Sequence, residues 1–284
     1  MTIGTESGRG SKPYDLTMAE CDYPAWSGPP RRTIVVCTHQ RSGSTLFGEA
    51  MYFAGGLGCP LEYYHAGFRP ALAQRWQASN IGDYAAAVGR YRTDPGGTLS
   101  IKLFWRDVVE LAIEIDAGRF GALKNNPPDA TEPATYRAIA DILAPLLHAP
   151  VFVHLFRRDR IRQAISTVVA SDTGQWRRIP DVDEREPAGE SLFDLDRIEQ
   201  LIGYSDFCHG HWRNFFAAIG AAPYVLTYED LARDYVAAAK GALRFLDSDM
   251  SPPSTRMRRQ ADEISESNVL RFLRARAARA QGAS

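Results

Sequence analysis

Between a run of β-branched residues, Thr33–Thr38, and an apolar-periodic segment from Thr45 lies the hexapeptide QRSGST, residues 40–45. Backbone N–H groups in a loop that opens a helix form a concave anion site, helped by the partial positive end of the helix. Gly43 allows close backbone approach, Ser42, Ser44 and Thr45 offer hydroxyl donors, and Arg41 adds a cation. A nucleotide kinase or GTPase loop, G-x-x-x-x-G-K-[ST], supplies a lysine to the β- and γ-phosphates and a hydroxyl to magnesium. Here the first glycine and the lysine are both absent, and Ser44 follows Gly43. The loop therefore suits a single terminal phosphate held without metal better than a triphosphate. Taken alone, it is also compatible with an ordinary strand–turn–helix whose turn is polar.

A second cluster lies in HLFRRDRIRQAIS, residues 154–166. Arg157 and Arg158 stand at the end of an apolar run, and Ser166 falls two turns into the next predicted helix. Arg162 and Ser166 are four apart and share a helix face. A guanidinium can clamp a phosphate bidentately while a hydroxyl donates to it. The competing reading is a solvated basic helix face. Two such clusters at separate strand ends suggest a ligand with two separated phosphates.

These clusters need strands that end together. Thr33–Thr38, Leu99–Trp105, Val151–Phe156 and Tyr224–Thr227 read as short buried strands. Predicted helices start near Thr45, Arg106 and Asp159. A further one follows Thr227, with the apolar stripe Leu231, Tyr235, Ala238, Ala242 and Leu246. Gly55-Gly56 stops the first helix. Alternating strands and helices predict a three-layer α/β domain with a mainly parallel sheet, which binds ligands beyond the carboxyl ends of its strands.

The remaining bounds come from composition. At 284 residues, the chain fits one domain, residues 31–284, after a loosely ordered lead-in over 1–30 and with an acidic surface insertion near 177–196. With 33 basic and 34 acidic residues the formal charge is −1, so nothing global points to nucleic acid. The four cysteines, at 21, 37, 59 and 208, have neither zinc-motif nor disulfide-framework spacing and read as reduced, mostly buried thiols. No signal peptide or membrane-spanning run is seen, and a cytoplasmic location is expected.

The paired sites resemble those of sulfotransferases that use 3′-phosphoadenosine 5′-phosphosulfate (PAPS), and within them the bacterial trehalose 2-sulfotransferase family. QRSGSTLFGEAMYFAGGLGCPLEYY (40–64) looks like that family's loop, helix and G-x-P-x-E-[FY]-[FY] segment. IKLFW (101–105) resembles its G-K-L-M-W strand, and RQADEISESNVLRFLR (259–274) its C-terminal R-Q-A-D segment. The sequence departs from the family pattern at Ile101, Arg158 and Asn268, where the family has glycine, proline and tryptophan.

The resemblance implies a P-loop-like fold, PAPS as donor, a small-molecule hydroxyl acceptor such as a carbohydrate or glycolipid, and a homodimer. It places the 5′-phosphosulfate on Arg41, Ser42, Gly43, Ser44 and Thr45, and the 3′-phosphate on Arg157 and Ser166, with Arg259 and Gln260 closing over it. It makes Glu62 the general base for an in-line transfer. His65 is the rival base. Lys102, at a strand end, is the candidate to stabilise charge on the transferring group. His39 and His154 read as structural, whereas Tyr63, Tyr64, Trp105 and Trp176 could wall an acceptor or pack in the core. No cluster demands a metal. A metal-dependent nucleotide kinase and a non-catalytic nucleotide-binding module remain the alternatives.

Overall fold

The computed structural model describes residues 16–174, 176, 193–255 and 263–282. Arg259, Gln260 and most of the acidic segment near 177–196 lie outside the described residues.

Four strands form one sheet: β1 (Arg32–Thr38), β2 (Thr98–Phe104), β3 (Pro150–Phe156) and β4 (Tyr224–Thr227). Their order is β2-β1-β3-β4 and every pairing is parallel. The helices are α1 (Ser44–Ala54), α2 (Arg69–Arg75), α3 (Ile81–Arg92), α4 (Trp105–Ile115), α5 (Ala117–Phe120), α6 (Pro133–Leu143), α7 (Arg160–Thr173), α8 (Leu195–Ile219), α9 (Tyr228–Arg233), α10 (Tyr235–Phe245) and α11 (Glu263–Gly282). The three-layer α/β arrangement expected from the alternating elements is what forms.

The alternation of side chains along the strands divides the core in two. Ile34, Val36, Val153, Leu155 and Leu226 pack with Phe47, Met51, Ala242 and Leu243 of α1 and α10. Val35, Cys37, Leu99, Ile101, Leu103 and Phe152 pack on the other face with Trp105, Val108, Tyr136, Trp212 and Phe215. Residues before β1 also take part, since Leu16 is buried in this second core.

β1, β2 and β3 each start one residue earlier than expected, and two further differences bear on the site. Trp105 opens α4 rather than closing β2. The segment after β4 is two helices instead of one, because Asp234, at φ −147° and ψ 87°, breaks the chain and its side chain accepts from Ala237 N–H to cap α10. An aspartate bonding its own downstream backbone offers a better cap than a helix interior.

Candidate active site

The loop between β1 and α1 is shaped by two left-handed residues, Arg41 (φ 60°) and Gly43 (φ 84°). A Cβ on Gly43 would lie 2.9 Å from Cδ2 of Tyr228, so glycine is required there by both backbone angle and space. Arg41 has no such freedom. A non-glycine residue in this region costs roughly 1–3 kcal/mol and is retained where the surroundings over-determine it.

Those surroundings are visible. Arg41 Nε donates to Ser166 Oγ on α7 at 2.8 Å, and its Nη1 donates to the Trp176 carbonyl. The fully buried Ser42 hydroxyl accepts from Gln163 Nε2 at 3.0 Å, and the same amide nitrogen donates to the Gln40 carbonyl at 2.8 Å. Gln163 Oε1 in turn accepts from Ser205 of α8 at 3.0 Å. Gln163 therefore fastens the loop to α7 and α8, a role that no local pattern of residues signals. A buried amide that satisfies several partners at once is recognised only when its neighbours are known.

The two basic clusters meet in space. Arg157 is buried at the end of β3, with its guanidinium carbon 4.5 Å from the centroid of Tyr228. Tyr228 thus touches Gly43 and stacks on Arg157. Its only sequence signal is its place directly after a strand's carboxyl end, where α/β sheets bind ligands. Burial, and then the nearby Arg157, pull the Arg41 guanidinium down to about 10. Two desolvated cations so close together favour an anion between them. The residues that the family resemblance assigns to the two phosphates therefore have the charge an anionic ligand needs.

Three further arginines of this region have acidic partners. Arg158 Nη2 lies 3.2 Å from Asp230, Arg160 Nε 2.8 Å from Asp206, and Arg162 bridges Asp159 and Glu266. Ser44 is buried in the first turn of α1, and Thr45 follows it half-buried. Arg162 and Ser166 share a helix face as expected, but Arg162 is drawn to α11 while Ser166 turns to Arg41.

Glu62 and Lys102 are brought together by backbone pairing. Leu61 bridges Ile101 in parallel, and Lys102 N–H donates to the Leu61 carbonyl at 2.9 Å. The next residues, Glu62 and Lys102, therefore project to the same side, and Lys102 Nζ lies 2.8 Å from Glu62 Oε1. Both are nearly buried. The lysine stem runs along α1, where a Cβ on Gly48 would stand 3.7 Å from Lys102 Cδ.

His65 is differently placed. Its Nδ1 accepts from Gly67 N–H at 2.9 Å and its Nε2 meets the Arg106 guanidinium. Burial and Arg106 lower its pKa, with Glu62 opposing. His39 and His154 are buried, and each is pulled down to about 4, chiefly by burial. His154 Nε2 lies 3.1 Å from His209 Nδ1. Tyr63, Tyr64 and Trp105 fall in the core, with Trp105 stacked on His211 at 4.7 Å, whereas Trp176 is about half exposed. Among the described residues, no group of three or more His, Cys, Asp or Glu could hold a metal. None of the described helices is long and apolar enough to cross a membrane.

The parallel α/β sheet thus carries a glycine-containing loop at its carboxyl edge and a buried Glu–Lys pair beside the following helix. The family model for Stf0 sulphotransferase matches residues 33–275, and the chain belongs to that family. It is 28% identical over 259 residues to trehalose 2-sulfotransferase of Mycobacterium tuberculosis (strain Erdman), covering 85% of this chain and 94% of that protein. It is 26% identical over 271 residues to trehalose 2-sulfotransferase of Mycolicibacterium smegmatis, covering 84% and 94% respectively. The match runs through the loop, the Glu62 segment, β2 and most of α11.

Proposed function

We propose that the protein transfers a sulfuryl group from PAPS to a hydroxyl of a carbohydrate or similar small molecule, with Glu62 as general base. The observation that carries this reading is the nearly buried Glu62–Lys102 pair, 2.8 Å apart and packed along α1. When bound, the donor supplies an activated sulfuryl group with a phosphate as its leaving group.

The chain's own residues divide the work. Arg41, Ser42, Gly43, Ser44 and Thr45 hold the 5′ end through backbone N–H groups, hydroxyls and one cation. Arg157 and Ser166 hold the 3′-phosphate, with Arg259 and Gln260 assigned there by family resemblance. Lys102 engages Glu62 Oε1, which leaves Oε2 to take the proton from the acceptor hydroxyl. The Lys102 ammonium on its flexible stem then faces the charge that develops as the acceptor oxygen attacks. General-base removal of that proton contributes roughly 10²–10⁴-fold.

The names of the two relatives support a carbohydrate acceptor. We also expect one catalytic domain over residues 31–284, a homodimer and a cytoplasmic location. The experiment is incubation with PAPS and a panel of sugars, glycolipids and other hydroxyl compounds, with mass spectrometry of the products. Sulfated product from any of them supports transfer. Tight binding of 3′-phosphoadenosine 5′-phosphate with no product across the panel favours a non-catalytic module. Magnesium-dependent binding of ATP in preference to that nucleotide favours a kinase.

A further inference from the structure

Tyr63, Tyr64 and Trp105 lie in the core, and a different set of rings reaches the surface beside Glu62. Phe104 closes β2 two residues after Lys102, so the two side chains leave the strand on the same face. His65 N–H donates to the Glu62 carbonyl at 3.1 Å, and the His65 ring stands 5.8 Å from that of Phe104, edge to face. Phe68 lies beyond it, 6.0 Å from His65. On the other side, Thr38 of β1 is in register with Phe104. The next residue, His39, sets its ring 6.5 Å from Phe104 and 5.5 Å from Tyr204 of α8. Tyr204 in turn stacks on Phe207 at 5.9 Å, with the planes 16° apart. Phe68, His65, Phe104, His39, Tyr204 and Phe207 thus form a continuous row across the carboxyl ends of β2 and β1. Within it His39 is buried, Tyr204 is 38% exposed and the others are half-buried.

The polar groups of the row are largely engaged. His65 Nδ1 accepts from Gly67 N–H, and its Nε2 meets the Arg106 guanidinium. Arg106 Nε lies 3.7 Å from Glu110 Oε1, so the cation beside the row has an acidic neighbour. Burial holds His39 at about 4, which keeps it uncharged near neutral pH. A molecule lying on this row meets ring faces and edges. Such rings favour a flat aromatic partner in stacked or edge-to-face geometry. A bare sugar would press hydroxyls against them without partners, which is costly.

We propose, on the footing of the sulfuryl transfer above, that this row is the acceptor platform and that the acceptor carries a flat, uncharged aromatic ring. The ring belongs either to a phenol that is itself sulfated or to the aglycone of a sugar that is. Phe104 stands on the same face as the Glu62–Lys102 pair, so a hydroxyl at the edge of a ring laid on Phe104 points towards the general base. In the transfer, the acceptor oxygen bonds to sulfur as the bond from sulfur to the 5′-phosphate oxygen breaks. The hydroxyl proton passes to Glu62, and 3′-phosphoadenosine 5′-phosphate leaves.

Full-length protein saturated with 3′-phosphoadenosine 5′-phosphate is titrated by calorimetry with β-naphthol, β-naphthyl glucoside and trehalose. The same three compounds are incubated with PAPS and analysed by mass spectrometry. The naphthyl compounds should bind about tenfold more tightly than trehalose. Phe104→Leu removes a ring but keeps apolar bulk, and Tyr204→Ala changes an exposed position. Each should weaken naphthyl binding roughly two- to tenfold and leave affinity for 3′-phosphoadenosine 5′-phosphate at the wild-type value. Sulfate on β-naphthol assigns a phenolic acceptor, and sulfate on the glucosyl hydroxyls alone assigns an aryl glycoside. Trehalose binding as tightly as the naphthyl compounds, or naphthyl affinity unchanged in both variants, would overturn the platform, while sulfated trehalose would keep the transfer. Naphthyl binding that both variants weaken, with no sulfated product from any compound, would keep the platform and count against the transfer.

Discussion

The carboxyl ends of β1 and β3 carry similar residues, arginines beside hydroxyls and helix starts, yet they use their cations differently. At β1, Arg41 binds the Ser166 hydroxyl and the Trp176 carbonyl, both neutral acceptors. At β3, Arg158, Arg160 and Arg162 each reach a carboxylate, and Arg157 is the one that is buried and stacked on Tyr228. The difference is between guanidiniums seated on neutral groups or an aromatic ring and guanidiniums bridged to carboxylates of neighbouring elements. An ion pair offsets a guanidinium's field, whereas a neutral acceptor only orients it.

The largest expected effect lies on the β1 side. Glu62→Gln keeps size and hydrogen bonding but removes basicity, and turnover should fall by roughly 10²–10⁴-fold while calorimetry with 3′-phosphoadenosine 5′-phosphate gives near wild-type affinity. His65→Ala should cost little. If His65→Ala is dead and Glu62→Gln active, the base has been misassigned.

Next comes Arg157→Ala, the test of the β3 side. Losing a hydrogen bond to a charged group costs roughly 1.5–3 kcal/mol, or about one to two decades in affinity. The loss should be confined to the 3′-phosphorylated nucleotide. A variant that still prefers it over AMP by the wild-type ratio would break the proposed division of labour.

The histidines behind the two strand ends predict a pH dependence. Burial, with Arg160 and Arg106 acting the same way, holds His39 at about 4; burial with Arg213 and Arg160 does so for His154. Unfolded histidine takes up its proton near 6.5. Between about 4 and 6.5 the unfolded chain binds more protons, so stability rises with pH and is lost on acidification. Unfolding free energies from denaturant titrations should fall by about 1–3 kcal/mol per pH unit from pH 6.5 towards 4, with a shallower slope in His154→Gln.

Gln163→Ala should loosen the anion loop without touching a ligand. It leaves buried groups of Gln40, Ser42 and Ser205 without their amide partner, at a cost of about 1–3 kcal/mol in chemical denaturation. Nucleotide affinity should drop about tenfold with it, by the same reasoning. An unchanged loop would show as unchanged affinity. The smallest effect belongs to Arg162→Ala. Its half-exposed ion pairs contribute no more than about 1 kcal/mol, and nucleotide binding should stay within about twofold of wild type. A large loss there would erase the contrast between Arg157 and its neighbours.

What the sequence could and could not disclose follows from the range of the forces involved. The four strands, the loop and the start of α7 are legible because apolar runs, glycine and apolar periodicity act over a few residues. The 25-residue α8 was not, since it is buried by aromatic and histidine residues on more than one side and lacks a clean amphipathic stripe. Within the site, Arg41, Gly43 and Glu62 stood out by residue type and resemblance. Gln163 and Tyr228 did not, because their importance lies in partners up to 123 and 185 positions away (163 − 40 in a hydrogen bond, 228 − 43 in the Gly43 contact).

The sequence by itself determined a parallel α/β domain, an anion loop lacking the kinase lysine, and membership of a sulfotransferase family. Only the tertiary structure decided that Glu62 and Lys102 form a buried pair, through the Leu61–Ile101 bridge, and that Arg41 reaches across to Ser166. It also decided which arginines of the β3 cluster are bound to carboxylates. Local sequence sets backbone preference and charge, but whether a charge is offset depends on which distant side chains the fold carries to within about 4 Å of it.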